Sequence, residues 1–133
     1  RAVHHIKTIK LGHTQFSFLE AMGALRENHI LAMLVDRPYA ASALEVNFFG
    51  APMLFSPAPV ALALATGATI LPAYVVLGSD GRHYARIEPP VVLQEHEEGK
   101  ESLRINTQTL ASGFEPVVRQ YPDQWFHFVP LWK

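Results

Sequence analysis

The chain has 133 residues and a formal net charge of -1, enough for one domain with a core and no basis for a broad basic face that would grip nucleic acid. Hydrophobic residues make up 49% and charged residues 17%, a globular balance that excludes intrinsic disorder. Cysteine is absent, which excludes disulfides, thiolate nucleophiles and zinc–thiolate sites together. No apolar run reaches the length of a membrane span, and no charged n-region with an apolar h-region marks a signal peptide. The chain opens on Arg1 rather than Met, so we expect it to be a piece of a longer protein.

Arg1 to Lys10 alternates, with Val3, Ile6 and Ile9 among Lys and His, and predicts a short edge strand. Leu11-Gly12-His13-Thr14 turns the chain. Ser17 and Glu20 have the spacing of a capping box, and Phe16, Leu19, Met22 and Leu25 give a helical stripe that stops at Asn28. Ile30 to Val35 is continuously apolar, as suits a strand covered on both faces in a parallel sheet. It ends in Asp36-Arg37-Pro38. Open α/β sheets place their sites beyond such carboxyl ends.

Leu44, Val46 and Phe48 alternate with Glu45 and Asn47, predicting a half-buried strand that ends in a turn at Gly50-Ala51-Pro52. Ser56 is placed to cap the next helix with Pro57 in its first turn, its apolar face is Val60, Leu62, Ala63 and Leu64, and Gly67 ends it. Thr69 to Leu77 reads as a core strand, Gly78-Ser79-Asp80-Gly81 as a turn, and His83 to Glu88 as the second arm of a β-hairpin. Pro89-Pro90 and an acidic loop over 94–100 follow. Leu103, Thr107, Leu110, Phe114 and Val118 then trace one face of a long helix from about Glu101, which Pro116 is expected to kink or break. The chain restarts at Tyr121-Pro122-Asp123-Gln124-Trp125 and ends in Trp125, Phe126, Phe128 and Trp132. No internal repeat or linker divides it. The expected fold is α/β: a mixed, largely parallel sheet flanked by helices, with a C-terminal β-hairpin and long helix, as a single domain over 1–133.

The order of several short pieces resembles the C-terminal half of the lipid A biosynthesis (lauroyl/myristoyl) acyltransferase family, within the wider glycerolipid acyltransferase superfamily. These are LAMLVDRP at 31–38, VNFFGAPMLFSPAPVALALATGATILPAYV at 46–75, DGRHYARIEPP at 80–90 and YPDQW at 121–125. None is diagnostic alone; their order and spacing carry the likeness, over about three-quarters of the chain.

The resemblance implies transfer of a fatty acyl chain from acyl carrier protein or acyl-CoA to a lipid hydroxyl, with no cofactor, at the cytoplasmic face of a bacterial inner membrane. It also implies a catalytic His-x-x-x-x-Asp/Glu motif upstream of the matched region, in which the histidine takes the acceptor proton and the acid orients the imidazole. We therefore expect no catalytic residue in this chain and no activity from it alone. His83 with Glu88 and His96 with Glu101 share that spacing; the first pair falls on opposite faces of a strand and the second in an open charged loop.

The candidate substrate-binding residues are Asp36, Arg37, Ser56, Phe48 and Phe49. In the superfamily a Glu-Gly-Thr-Arg segment stands after a core strand much as Asp36-Arg37 does here, so Asp36 would position a histidine or acceptor hydroxyl and Arg37 a phosphate or the thioester oxygen. The plain alternative is a surface ion pair. Ser56 precedes a helix whose free N–H groups suit an anion, or is simply an N-cap. Phe48 and Phe49 line an acyl groove or pack the core. The terminal aromatics touch a membrane interface or close the core. His4 and His5 lack a third ligand for a metal, and His13 and His29 flank the first helix as solvated residues.

Two departures bear on the acceptor. Ala58 stands where the family segment F-x-x-G-P-A has glycine. Val129-Pro130-Leu131 stand where the lipid A enzymes carry a basic pair, which argues against a phosphorylated disaccharide and for a less charged lipid or another hydroxyl or amine acceptor. The competing readings are a lipid- or acyl-binding module without chemistry and a structural domain that docks on a partner. A half-sheet with bare apolar edges would also self-associate.

Overall fold

The computed structural model describes residues 6–9, 16–37 and 43–126. His4, His5, His13, Pro38, Phe128, Trp132 and the 129–131 segment, on which parts of the sequence reading fall, lie outside them. The fold is mixed α/β, with three helices and two small sheets, each a pair of antiparallel strands. The expected parallel pairing is not found among the described residues.

Helix α1 (Phe16–Arg26) begins one residue before Ser17, so Ser17 sits in its first turn and is not the N-cap that the capping-box spacing predicts. Glu20 instead pairs with Lys7 at 2.8 Å. The buried residue of α1 is Ala21, while Leu19 of the predicted stripe faces solvent. α1 lies against α2. The helix ends as read: Asn28 takes φ 62°, with Asn28 N–H bonded to Leu25 and His29 N–H to Ala24, a Schellman closure that Asn tolerates.

Ile30–Val35 is the main departure. It joins no ladder, and Ile30 is 99% exposed. An apolar run becomes a buried strand only where both neighbours exist. Here its one tie to a strand's end is the Val35 carbonyl, which accepts from Ser56 N–H at 3.0 Å. Val35 itself packs on the core.

Strand β1 (Leu44–Phe48) forms as the alternation predicts and pairs with β2 (Ala51–Phe55), a strand the proline at position 52 hides from sequence reading. The two are joined by Phe49-Gly50, both at positive φ (54° and 82°), the two-residue hairpin that matches strand twist. Pro52 is tolerated because its partner Asn47 turns its own N–H and C=O outward, onto the Gln108 side chain at 2.7 and 2.8 Å. A glutamine amide thus does the work of a third strand.

Helix α2 (Ala58–Thr66) buries Val60, Leu62 and Ala63, leaves Leu64 partly exposed, and closes on Gly67 at φ 74°. Strands β3 (Ala73–Leu77) and β4 (His83–Ile87) make the expected hairpin, yet neither is a core strand: every β4 residue is exposed and Val75 is 61% exposed. A Cβ at Gly78 would lie 2.6 Å from the Tyr84 ring and 2.8 Å from Asp80 Oδ1, so both side chains would have to shift.

Helix α3 (Gly99–Gln120) passes through Pro116 without breaking. Pro116 lies on the exposed side near the C-terminal end, and the face opposite is held by the core. Phe114 and Val118 pack on Val46, Phe48, Met53, Phe55 and Ala111 as the periodicity predicts. Asn106 is fully buried and spends its amide on both backbone groups of Gln94 (2.8 and 2.7 Å) and on the Ser102 carbonyl. A short 3-10 turn (Pro122–Gln124) follows.

Candidate functional site

A largely apolar cleft of about 200 Å³ opens between residues 33–36, β3, the C-terminal half of α3 and residues 121–125. Leu34, Val35, Phe48, Val76, Phe114 and Val118 form its walls; Asp36, Tyr74, Tyr121 and Gln124 supply polar groups. Such a lining, mostly hydrocarbon with a few placed polar atoms, is how small-ligand sites are built.

Asp36 lines the cleft, half-buried. Its Oδ2 accepts a hydrogen bond from the Trp125 indole N–H at 3.1 Å. Arg37 is exposed beside it, and its Nη2 donates to the Phe126 carbonyl at 2.7 Å. The two polar residues of the turn are thus tied, one each, to consecutive residues near the other end of the chain. Among the described residues no ion pair joins the two.

The other candidates separate. Phe48 is buried, lines the cleft, and meets Phe49, Phe55 and Trp125 at ring distances of 4.8, 5.4 and 5.5 Å. Phe49 lies on the hairpin turn outside the cleft lining. Its left-handed backbone costs about 1–2 kcal/mol for a residue with a Cβ. It is held there by the Glu115 carboxylate, which accepts from Phe49 N–H at 2.9 Å, and by the Arg119 guanidinium 5.4 Å from the ring centre. Ser56 also lies outside the lining; its Oγ reaches Ala58 N–H only at 3.4 Å, and the N-cap position of α2 is Pro57, not Ser56 as the sequence predicts.

The two chance His–acid pairs are occupied otherwise. Glu101 grips Arg104 through both oxygens, at 2.9 and 2.7 Å, which holds its carboxyl below the usual range. The His96 backbone is bound by Ser102 at the start of α3. His83 is exposed on β4. Among the described residues no group of three or more His, Asp or Glu is placed to hold a metal, and no helix is long and apolar enough to cross a membrane.

Three residues at the cleft escaped the sequence reading. Tyr74 stands opposite Arg86 in the β3–β4 ladder, and the neighbouring phenol raises the arginine's already high pKa. Gln124 clasps both backbone groups of Leu77 at 2.7 and 3.0 Å, which ties the 3-10 turn to β3. Trp125 read as a core or interface aromatic; its indole N–H on Asp36 could not be seen, since the two are 89 positions apart. The only signal was the polar restart Pro122-Asp123-Gln124-Trp125 after a long helix.

Comparison with known proteins gives this geometry a context. The family model described as "Bacterial lipid A biosynthesis acyltransferase" matches residues 7–133. A protein described as "Phosphatidylinositol mannoside acyltransferase" from Mycobacterium tuberculosis (strain ATCC 25618 / H37Rv) is 27% identical over 108 residues, 81% of this chain and 32% of that protein. Its namesake from Mycolicibacterium smegmatis is 28% identical over 108 residues, 81% of this chain and 34% of the relative. The chain spans about a third of the length of the curated relatives it matches.

Proposed function

This chain belongs to the bacterial lipid A biosynthesis acyltransferase family, and we propose that it is the acceptor-side, C-terminal portion of a membrane-peripheral O-acyltransferase. The longer protein moves a fatty acyl chain from acyl carrier protein or acyl-CoA to the hydroxyl of a glycolipid at the cytoplasmic face of the inner membrane. The observation that carries the reading is the apolar cleft with the Asp36 carboxylate in its wall. Hydrocarbon walls suit an acyl chain or lipid tail, and an anchored carboxylate suits an acceptor hydroxyl or the histidine that deprotonates it. Arg37, next in sequence, supplies positive charge for a phosphate or for the thioester oxygen.

None of the described residues lining the cleft is a histidine. In this reading the general base belongs to a His-x-x-x-x-Asp/Glu motif upstream, and the chain alone binds without reacting. The missing sequence would also cover Ile30, Leu34, Val75 and Ile87, all exposed apolar residues, and would complete the largely parallel αβα sheet. Uncovered, that surface would favour self-association of the isolated chain. The relatives' names point to a mannosylated phosphoinositide as acceptor rather than a lipid A precursor. The loss of the terminal basic pair, with Val129-Pro130-Leu131 in its place, agrees with that choice.

The test compares this chain with the longer protein that contains it, each given labelled acyl-CoA or acyl carrier protein thioester and either phosphatidylinositol mannoside or a lipid A precursor. We expect transfer by the longer protein only, and to the mannoside. No transfer by a longer protein shown to be folded overturns the enzyme reading. Lipid retention by the chain without transfer by either would establish a binding module instead.

A further inference from the structure

Three consecutive residues after α3 tie down segments at or beside the cleft, one of them a residue of its wall. The Gln124 side chain clasps Leu77 at the end of β3, the Trp125 indole holds Asp36, and the Phe126 carbonyl holds Arg37. Of these, the Trp125 contact is the one that meets a carboxylate in the cleft wall. The indole N–H only donates, so it orients a carboxylate without competing for the acceptor's proton. The ring is itself fixed, packed edge-on against the buried Phe48 ring at 5.5 Å and 65°. A half-buried aspartate on an irregular turn has many rotamers; a donor mounted on the core selects one.

We propose that Trp125 is a positioning residue for acyl transfer: its indole N–H sets the orientation in which the Asp36 carboxylate meets the acceptor hydroxyl or the base that activates it. This rests on the acyl-transfer reading above. Removing the N–H costs the charge-assisted hydrogen bond and the orientation that it gives the carboxylate.

A double-mutant cycle in the longer protein tests it, with acyl-CoA as donor, phosphatidylinositol mannoside as acceptor, and thermal unfolding recorded for each variant. Trp125→Phe is expected to lower kcat/KM roughly tenfold with the donor KM unchanged, and to lower the unfolding midpoint a little, since the smaller ring gives up part of its packing on Phe48 and the core. Asp36→Asn is expected to lower it further, and the double variant to equal Asp36→Asn alone, because the indole acts only through the carboxylate. Wild-type kinetics in Trp125→Phe or in Asp36→Asn, or losses that multiply in the double variant, overturn the proposal while leaving acyl transfer standing. A folded wild-type protein that transfers nothing fails at the earlier step and takes both readings down. Should Trp125→Phe unfold, benzothienylalanine at position 125 keeps both rings without the N–H, and the same outcomes decide.

Discussion

The β1–β2 and β3–β4 hairpins are built alike, from paired five-residue antiparallel strands, and meet opposite ends. β1–β2 lies beneath α3 and contributes Val46, Phe48, Met53 and Phe55 to the core. β3–β4 has no helix across it among the principal packing contacts, and its apolar Val75, Leu77 and Ile87 stay exposed. Yet the more apolar sequence is that of β3, AYVVL, against LEVNF in β1. Hydrophobic composition states what a strand can bury; only a partner surface decides whether it does. The difference teaches that, among the described residues, β1–β2 has its covering helix and β3–β4 has none.

The sharpest way to break this comparison is Phe48→Ala, which removes a ring packed against Phe49, Phe55 and Trp125. It should destabilise by about 3–5 kcal/mol, read from the urea midpoint. Asn106→Ala comes next, because it empties a fully buried site and removes the amide that binds both backbone groups of Gln94 and the Ser102 carbonyl. A loss of about 2–4 kcal/mol is expected from unfolding curves, and Asn106→Asp should not restore it, having no amide donor. In the open hairpin, Gly78→Ala must push the Tyr84 ring aside, for a loss of about 1–3 kcal/mol. Pairing it with Tyr84→Ala should recover most of that loss.

Smaller still is Val75→Thr, expected within about 0.5 kcal/mol in this chain because the site is exposed. In the longer protein the same change should cost more, and equal effects in both would show that β3 stays uncovered. The least effect is a pH dependence confined to the β3–β4 turn. The Tyr84 hydroxyl first, and then Arg82 N–H, lower the Asp80 pKa below the ordinary carboxylate value. A depressed folded pKa gives stability that is present above the unfolded pKa and lost as pH falls through the folded one. Amide exchange in residues 77–84 should therefore quicken in acid below the usual carboxylate range, and Asp80→Asn should abolish that dependence.

Much was legible in the sequence by itself, for a common physical reason. The family likeness rests on local words in a fixed order. Period-two alternation marked β1, Gly67 and Asn28 marked helix ends because few residues accept a left-handed backbone, and the turn at 78–81 marked the second hairpin. These are short-range constraints, and neighbours in sequence settle them. What the tertiary structure decided involves groups far apart in the chain. Proline at 52 argued against β2 until Gln108, 61 positions from Asn47, took up the outward backbone groups. Pro116 argued for a helix break until α3 was held along its length by β1. Ile30–Val35 looked like a buried strand, but burial needs neighbours on both sides, and the chain's described residues give it one hydrogen bond at Val35. The placing of Asp36 in a cleft wall, and the Trp125 N–H upon it, follows from packing α3 and the 3-10 turn back across the core. No local pattern encodes a contact of that span.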